Sequence, residues 1–283
     1  MKRRTLTAAS DGTLGDVLAV ALKLPAGAIA HLIAAGAVYV DGRRCRDAAA
    51  RVKAGAQLTA VLEEAGRPAG AGAPSGRVLT VLFEDPRVIA VDKPPGVLAQ
   101  PGPSGGENLL ALVSARLGHE AGLVHRLDRE TSGVTLFGKS REATSDLARA
   151  FREGRVTKRY IAVVTAELPD SGEIDLPLSR DPSRPGRWRA TRKANGLEAF
   201  TRFEVVSRAG GATLVALFPK TGRTHQLRAH LTALGAPIAG DRLYGGADAP
   251  RCLLHAHQLR LGELAIEAPV PGDVSTFTAS PSR

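Results

Sequence analysis

Cysteine is nearly absent. Cys45 and Cys252 are the only two in 283 residues, far apart and in no metal-ligand spacing. A disulfide scaffold is excluded, and buried thiols in a reducing cytosol are the expectation. No window holds 18 consecutive apolar residues, so no membrane span is expected. The basic start, Met1-Lys2-Arg3-Arg4, has no long apolar region or cleavage pattern behind it, so no signal peptide is expected. Acid is in deficit, with 28 Asp and Glu against 38 Lys and Arg, a net charge of +10. That surplus favours a polyanionic partner, nucleic acid before membrane, with plain solubility as the alternative. Apolar residues make up 43% of the chain, enough for a core, and the length predicts one large or two ordinary domains.

Residues 13–35 predict two short helices. Leu14, Val17, Leu18 and Ala21 share one face, Pro25 restarts the chain, Ile29, Leu32 and Ile33 continue, and Gly36 caps. Val38-Tyr39-Val40 predicts a strand, Asp41-Gly42 a hairpin turn, and Gln57–Leu62 a further strand. Residues 1–62 hold nine Lys/Arg and four Asp, a balance of +5. This pattern resembles the S-four-like RNA-binding domain. The resemblance implies RNA contact by an amino-terminal module, with Arg43 and Arg44 as candidates. Its second helix, Ala-Gly-Ala-Ile-Ala-His, lacks the basic residues usual there, and a structural cap is the alternative. The Gly/Ala/Pro run at 64–76 has no period and predicts a flexible linker. It divides a module at 1–63 from a domain at 77–283.

From Arg77 strands and helices alternate. Val78–Phe83 and Val88–Val91 are strand-like, Asn108–Leu117 is helical, and V-H-R-L-D-R-E-T-S-G at 124–133 precedes a strand from Val134. Asp128 there lies between Arg126 and Arg129. A carboxylate at a strand end among cations suits an ionised nucleophile or base, because opposite charge favours its charged form. A solvated turn with surface ion pairs is the other reading. Ser140 can cap a helix buried through Ala143, Leu147, Ala150 and Phe151. On the strand Val156–Val164, Lys158, Tyr160 and Ala162 share one face, so Tyr160 either packs or faces a cleft. Residues 180–193 hold six Lys/Arg around Trp188. This segment can meet phosphate and stack a base, or be a solvated hairpin tip. Strands are expected at 197–206 and 213–218. Thr224 can cap a helix whose Leu227, Leu231 and Leu234 face the core, with His225, Arg228 and Thr232 opposite. An irregular loop from Ile238 and a late strand at 253–261 follow.

Four stretches then stand in order: F-E-D-P-R-V-I-A-V-D-K-P-P-G at 83–96, H-R-L-D-R-E-T-S-G at 125–133, F-R-E-G-R-V-T-K-R-Y at 151–160, and T-G-R-T-H-Q-L-R-A-H-L-T-A-L-G-A-P-I-A-G-D-R-L-Y-G at 221–245. Together they resemble the RluA family of RNA pseudouridine synthases over about residues 77–270. The resemblance implies an α+β fold with a mixed, largely antiparallel sheet in the catalytic domain and a small αβ module at the amino terminus. It implies Asp128 as catalytic aspartate, Tyr160 packing against the target base, and Arg228 pairing with the aspartate. Arg126 and Thr131-Ser132-Gly133 would shape the pocket, and Lys93 and Pro94 match a mainly structural motif. Candidate RNA contacts are Arg126, Arg129, Arg223, His225, Arg187 and Trp188.

The implied reaction detaches uracil at its glycosidic nitrogen, turns it, and rejoins it through carbon 5. No atom is gained or lost, so no redox cofactor is needed, and no metal cluster stands in the sequence. RNA is the expected partner, ribosomal before transfer RNA, for a cytoplasmic monomer. The alternatives are an inactive RNA-binding assembly protein and a glycoside hydrolase using Asp128 and Glu130. The latter fits poorly, since two carboxylates about 5–9.5 Å apart must flank the bond. A kinase-like loop lacks its downstream Asn.

Overall fold

The computed structural model describes residues 2–22, 24, 26–34, 37–62, 79–102, 107–192 and 196–277. The expected linker at 64–76, Pro25, Gly36, Val78 and Lys193 lie outside the described residues. The chain divides into two compact units, residues 1–77 with 100–111, and residues 78–99 with 112–283. No helix of the described residues is long and apolar enough to cross a membrane.

In the first unit, helices Leu14–Leu22 and Ala26–Ala34 accompany an antiparallel sheet ordered Lys2–Thr7, Gln57–Leu62, Val38–Val40, Arg43–Cys45. Thr13 Oγ1 accepts the Asp16 N–H at 3.2 Å and so caps the first helix. Leu14, Val17 and Leu18 are buried as expected, but Leu22 rather than Ala21 completes the stripe. Asp41 and Gly42 both have positive φ, 47° and 78°, as a two-residue hairpin turn of this hand requires. The leading strand was not legible, because Lys-Arg-Arg shows no apolar alternation; it lies at a sheet edge, where charge is tolerated. Cys45 is half-buried, not buried as expected, and Cys252 is buried; both are free thiols.

The second unit is built on a ten-stranded sheet. Its main path runs Ser171–Asp175, Phe200–Ala209, Ala212–Pro219, Val156–Val164, Leu254–Leu261, Ser132–Gly138, Val88–Lys93, Val81–Glu84. All pairings along it are antiparallel except that of Ser132–Gly138 with Leu254–Leu261. That parallel contact, Ser132 to His255 and Gly133 to Ala256, brings the exit of the H-R-L-D loop against the late strand. Gly133 has φ +114°, and a Cβ there would collide with the Ala256 backbone. The glycine is needed both for conformation and for approach.

Helix Arg141–Arg152 starts at Ser140, whose Oγ accepts the Ala143 N–H at 3.1 Å. Ala143, Leu147 and Ala150 are buried, the last two against a core that includes Val88, Val134, Leu136 and Val156. Burying Leu147 alone stabilises by roughly 1.5–3 kcal/mol. The expected strand at 197–206 is observed at Phe200–Ala209, because Leu197 turns aside to bridge Leu178. Beyond the sheet, Gly272–Phe277 forms a short helix in which Val274 is buried.

Candidate active site

The loop from His125 to Thr131 is pinned on both sides of Asp128. His125 Nε2 accepts the Leu136 N–H at 2.9 Å, and its ring stacks on Phe151 with centroids 4.7 Å apart. Beyond Asp128, the Arg129 carbonyl accepts from Lys93 Nζ at 3.0 Å and from Gly96 N–H at 2.8 Å. Arg129 Nε returns a hydrogen bond of 3.0 Å to the Gly96 carbonyl. Lys93 is fully buried and also donates to the carbonyls of Pro94 and Val97, at 2.9 and 2.8 Å. Burial lowers its pKa to about 8, against the attraction of Glu130 and Asp128. Asp128 is thus held half-buried by its neighbours' backbone rather than by its own side chain.

Arg228 reaches Asp128 from helix Gln226–Ala233, with Nη1 3.3 Å from Asp128 Oδ2. This is a single, long contact. The bidentate partner is Asp241, with Nε to Oδ2 at 2.6 Å and Nη2 to Oδ1 at 2.8 Å. Burial opposes the Arg228 charge, but the Asp241 hydrogen bonds and charge outweigh it and raise its pKa. The guanidinium also lies 4.9 Å from the centre of the Tyr244 ring, a cation–π distance.

The start of this helix differs from expectation. His225, not Thr224, is the cap residue; it has φ 56° and no side-chain cap bond. Gln226 instead ties down the loop that precedes the helix. Its side-chain carbonyl accepts from Thr221 Oγ1 at 2.7 Å and Arg223 N–H at 3.0 Å, and its amide donates to the Phe200 carbonyl at 3.0 Å. Gln226 through Leu231 are all buried, so the helix has no polar outer face there, while the expected core residue Leu234 is exposed.

Asp128, Tyr160 and Arg228 line one open cleft, together with Arg126, Lys158, Arg223 and His225. Tyr160 both packs against the core and lines the cleft. Burial and the Asp128 charge push its pKa up, so the phenol keeps its proton. Arg126 and Arg223 are exposed at the cleft, and Arg223 Nε donates to the Glu198 carbonyl at 2.9 Å. His225 Nε2 is 3.9 Å from Asp128 Oδ2 and its Nδ1 is 3.2 Å from Tyr244 Oη.

The other sequence candidates lie elsewhere. Arg187 and Trp188 belong to the hairpin of Leu178–Arg180 and Trp188–Ala190. Tyr244 Oη accepts the Trp188 N–H at 3.1 Å and donates to its carbonyl at 2.7 Å. The Trp188 ring is half-buried against an apolar cluster with Leu178 and Tyr244, and Arg187 sits 5.1 Å from the Tyr244 ring centre. Tyr244 therefore joins this hairpin to His225 and Arg228. In the first unit, Arg43 and Arg44 are exposed, and Arg44 donates to Tyr39 Oη at 2.8 Å. Asp241 and Tyr244 are site residues that no periodicity announces, since both stand in the patternless G-D-R-L-Y-G stretch.

Several histidines are wholly or partly buried, which favours their neutral rings. Burial lowers His125 to about 3 and His255 to about 4, and moves His225 and His230 in the same direction. A depressed folded pKa means the unfolded chain binds the proton first. Stability is then full above pH 6.5, the ordinary value, and falls as pH drops towards the folded values. The slope is up to about 1.4 kcal/mol per pH unit for each such histidine. Urea unfolding is expected to show a clearly lower midpoint at pH 5 than at pH 7, a window above ordinary carboxylate titration. Equal midpoints would show that these rings take up protons without cost.

Comparison with known proteins identifies the family. The model for RNA pseudouridylate synthases matches residues 87–233, and the S4 domain model matches residues 14–58. The chain is 37% identical over 224 residues to a ribosomal large subunit pseudouridine synthase D of Nitrosomonas europaea, covering 70% of this chain and 64% of that protein. It is 40% identical over 211 residues to the dual-specificity RNA pseudouridine synthase RluA of Escherichia coli, covering 71% and 92% of the two. The solved structure of human RNA pseudouridylate synthase domain containing 4 superposes with a TM-score of 0.58 at 27% identity, covering 69% of this chain and 90% of that one. With an S4 domain ahead of the matched catalytic stretch, the chain belongs to the RNA pseudouridylate synthase family and is an isomerase that converts uridine in RNA to pseudouridine.

Proposed function

We propose that the substrate is a uridine of large-subunit ribosomal RNA and that Asp128 is the nucleophile or base acting on it. The observation that carries this reading is the meeting of Asp128, Arg228 and Tyr160 in one cleft from three separate elements. A guanidinium that stays protonated at any working pH keeps a positive charge against the carboxylate. The protonated Tyr160 offers a flat apolar face to a base. Turning a base out of its stack costs a few kcal/mol, and contacts to RNA phosphate offset it. Arg126, Arg129, Arg223 and the 180–192 hairpin are the candidates for those contacts. The likeness to a synthase named for the ribosomal large subunit, and the S4 domain, favour ribosomal over transfer RNA.

The enzyme works as a cytoplasmic monomer, with residues 1–63 as RNA-binding module, 64–76 as linker and 77–283 as catalytic domain. Deleting residues 1–70 is expected to leave a folded catalytic domain with weaker or less selective RNA binding. Loss of the folded circular dichroism spectrum would place the boundary elsewhere. Substrate choice is tested by mapping pseudouridine in ribosomal and transfer RNA from cells with the protein, without it, and with only the Asp128→Asn variant. The expected result is one or more large-subunit sites present in the first sample alone; sites lost only from transfer RNA would overturn the ribosomal assignment.

A further inference from the structure

Lys158 is a cleft residue that the chemistry above leaves unused. It stands on strand Val156–Val164 two residues before Tyr160, and both line the same cleft. Its ammonium makes one hydrogen bond, a long one of 3.3 Å to the Thr221 carbonyl, and Nζ lies beside Gly222. Among the described residues, the two cations of this unit that are buried outright, Lys93 and Arg228, are engaged by acceptors. Lys93 donates to three carbonyls, and Arg228 meets two carboxylates. Lys158 has no carboxylate within ion-pair distance among the described residues, and no acid opposes the lowering of its pKa by burial. A half-buried ammonium with spare donors is costly to keep, and here those donors lie in the wall of the reaction cleft.

We propose that Lys158 is a catalytic residue that hydrogen-bonds a carbonyl oxygen of the target uracil and stabilises the negative charge that collects on the ring. The proposal rests on the assignment of the Asp128 cleft as the uridine site, and it holds for each route open to Asp128. If the aspartate attacks carbon 1′ of the ribose or removes the 2′ proton, the bond from carbon 1′ to N1 breaks. Its electron pair stays on the ring, shared among N1 and the carbonyl oxygens. If the aspartate adds to carbon 6, the π pair between carbons 5 and 6 moves onto oxygen 4. Every route makes the base an anion for part of the cycle, and Lys158 keeps its protons throughout. A donor fixed in advance beside the place where charge develops is worth more than one recruited from water. The Thr221 carbonyl supplies that fixation.

The test compares Lys158→Met and Lys158→Arg with wild type in single-turnover rate and in RNA affinity across a range of salt. Lys158→Met is expected to lose about a hundredfold in rate with unchanged affinity and salt dependence, and Lys158→Arg, which keeps the charge, to recover part of the loss. A wild-type rate in Lys158→Met, or equal losses in both variants, overturns the proposal. So does a loss of affinity with a salt slope shallower by about one ion, which would make Lys158 a phosphate contact. Thermal melting confirms folding, and Lys158→Gln replaces the Met variant if that one is unfolded. Asp128→Asn is run alongside. Full turnover in that variant overturns the cleft assignment itself, whereas an inert Asp128→Asn with an unimpaired Lys158→Met overturns only the role of the lysine.

Discussion

Asp128→Asn is expected to abolish pseudouridine formation while RNA affinity stays within a few-fold of wild type. The substitution keeps the size and shape of the side chain and removes its charge. Folding should survive, because the loop is fixed by the backbone carbonyl of Arg129, by Lys93 and by the His125 bond to Leu136 N–H, none of which uses the Asp128 side chain. Affinity should survive because binding to RNA rests mainly on cations that meet phosphate. The chemistry should not survive. An amide cannot attack carbon 1′ or carbon 6, nor accept a ribose proton, at a useful rate. Release of tritium from carbon-5-labelled uridine RNA measures turnover, and filter binding measures affinity. Turnover near wild type would remove Asp128 from the chemistry. A large fall in affinity with residual turnover would make it a binding group.

The chemistry of the site was more legible in the sequence than its wiring. Asp128, Tyr160 and Arg228 stand in stretches whose residue types are unusual enough to mark them, and the structure brings all three to one cleft. Helix Arg141–Arg152 was legible because its cap and buried stripe follow local rules. Periodicity misplaces the faces of the helix carrying Arg228 for a physical reason. Its polar residues look like an outer face, yet Gln226, Arg228 and His230 are buried with their hydrogen bonds satisfied by distant partners. Periodicity assumes that polar means exposed, and it fails where a polar network is internal. Asp241 and Tyr244 were hidden for a related reason. Their roles depend on long-range contacts made from an irregular loop, and nothing local announces them. At Gly240, two residues from the sheet bridge at Ile238, φ is +76° and a Cβ would meet the Arg251 carbonyl; that glycine seats the loop so that Asp241 can face Arg228.

The wiring leads to the second large effect, at Arg228. Arg228→Lys is expected to lose between about a hundred- and a thousandfold in rate, although it conserves charge. The guanidinium uses three separate nitrogens, Nε and Nη2 for Asp241 and Nη1 for Asp128. A lysine has one nitrogen, and the carboxylate of Asp241 offers it the shorter and drier contact. The ammonium is therefore expected to go to Asp241 and leave Asp128 without its fixed cation. Removing the anchor instead of the arginine separates the two functions of the pair. In Asp241→Ala the guanidinium keeps one long contact to Asp128 while remaining buried at 8% exposure. Breaking a buried pair from one side costs on the order of 3–5 kcal/mol, so Asp241→Ala should unfold at clearly lower urea, whereas Arg228→Lys should lose mostly rate. Urea midpoints and tritium release on both variants decide the point. An Asp241→Ala protein as stable and active as wild type would mean that Arg228 is placed by its helix and by the Tyr244 ring, and that the bidentate pair is incidental to the site.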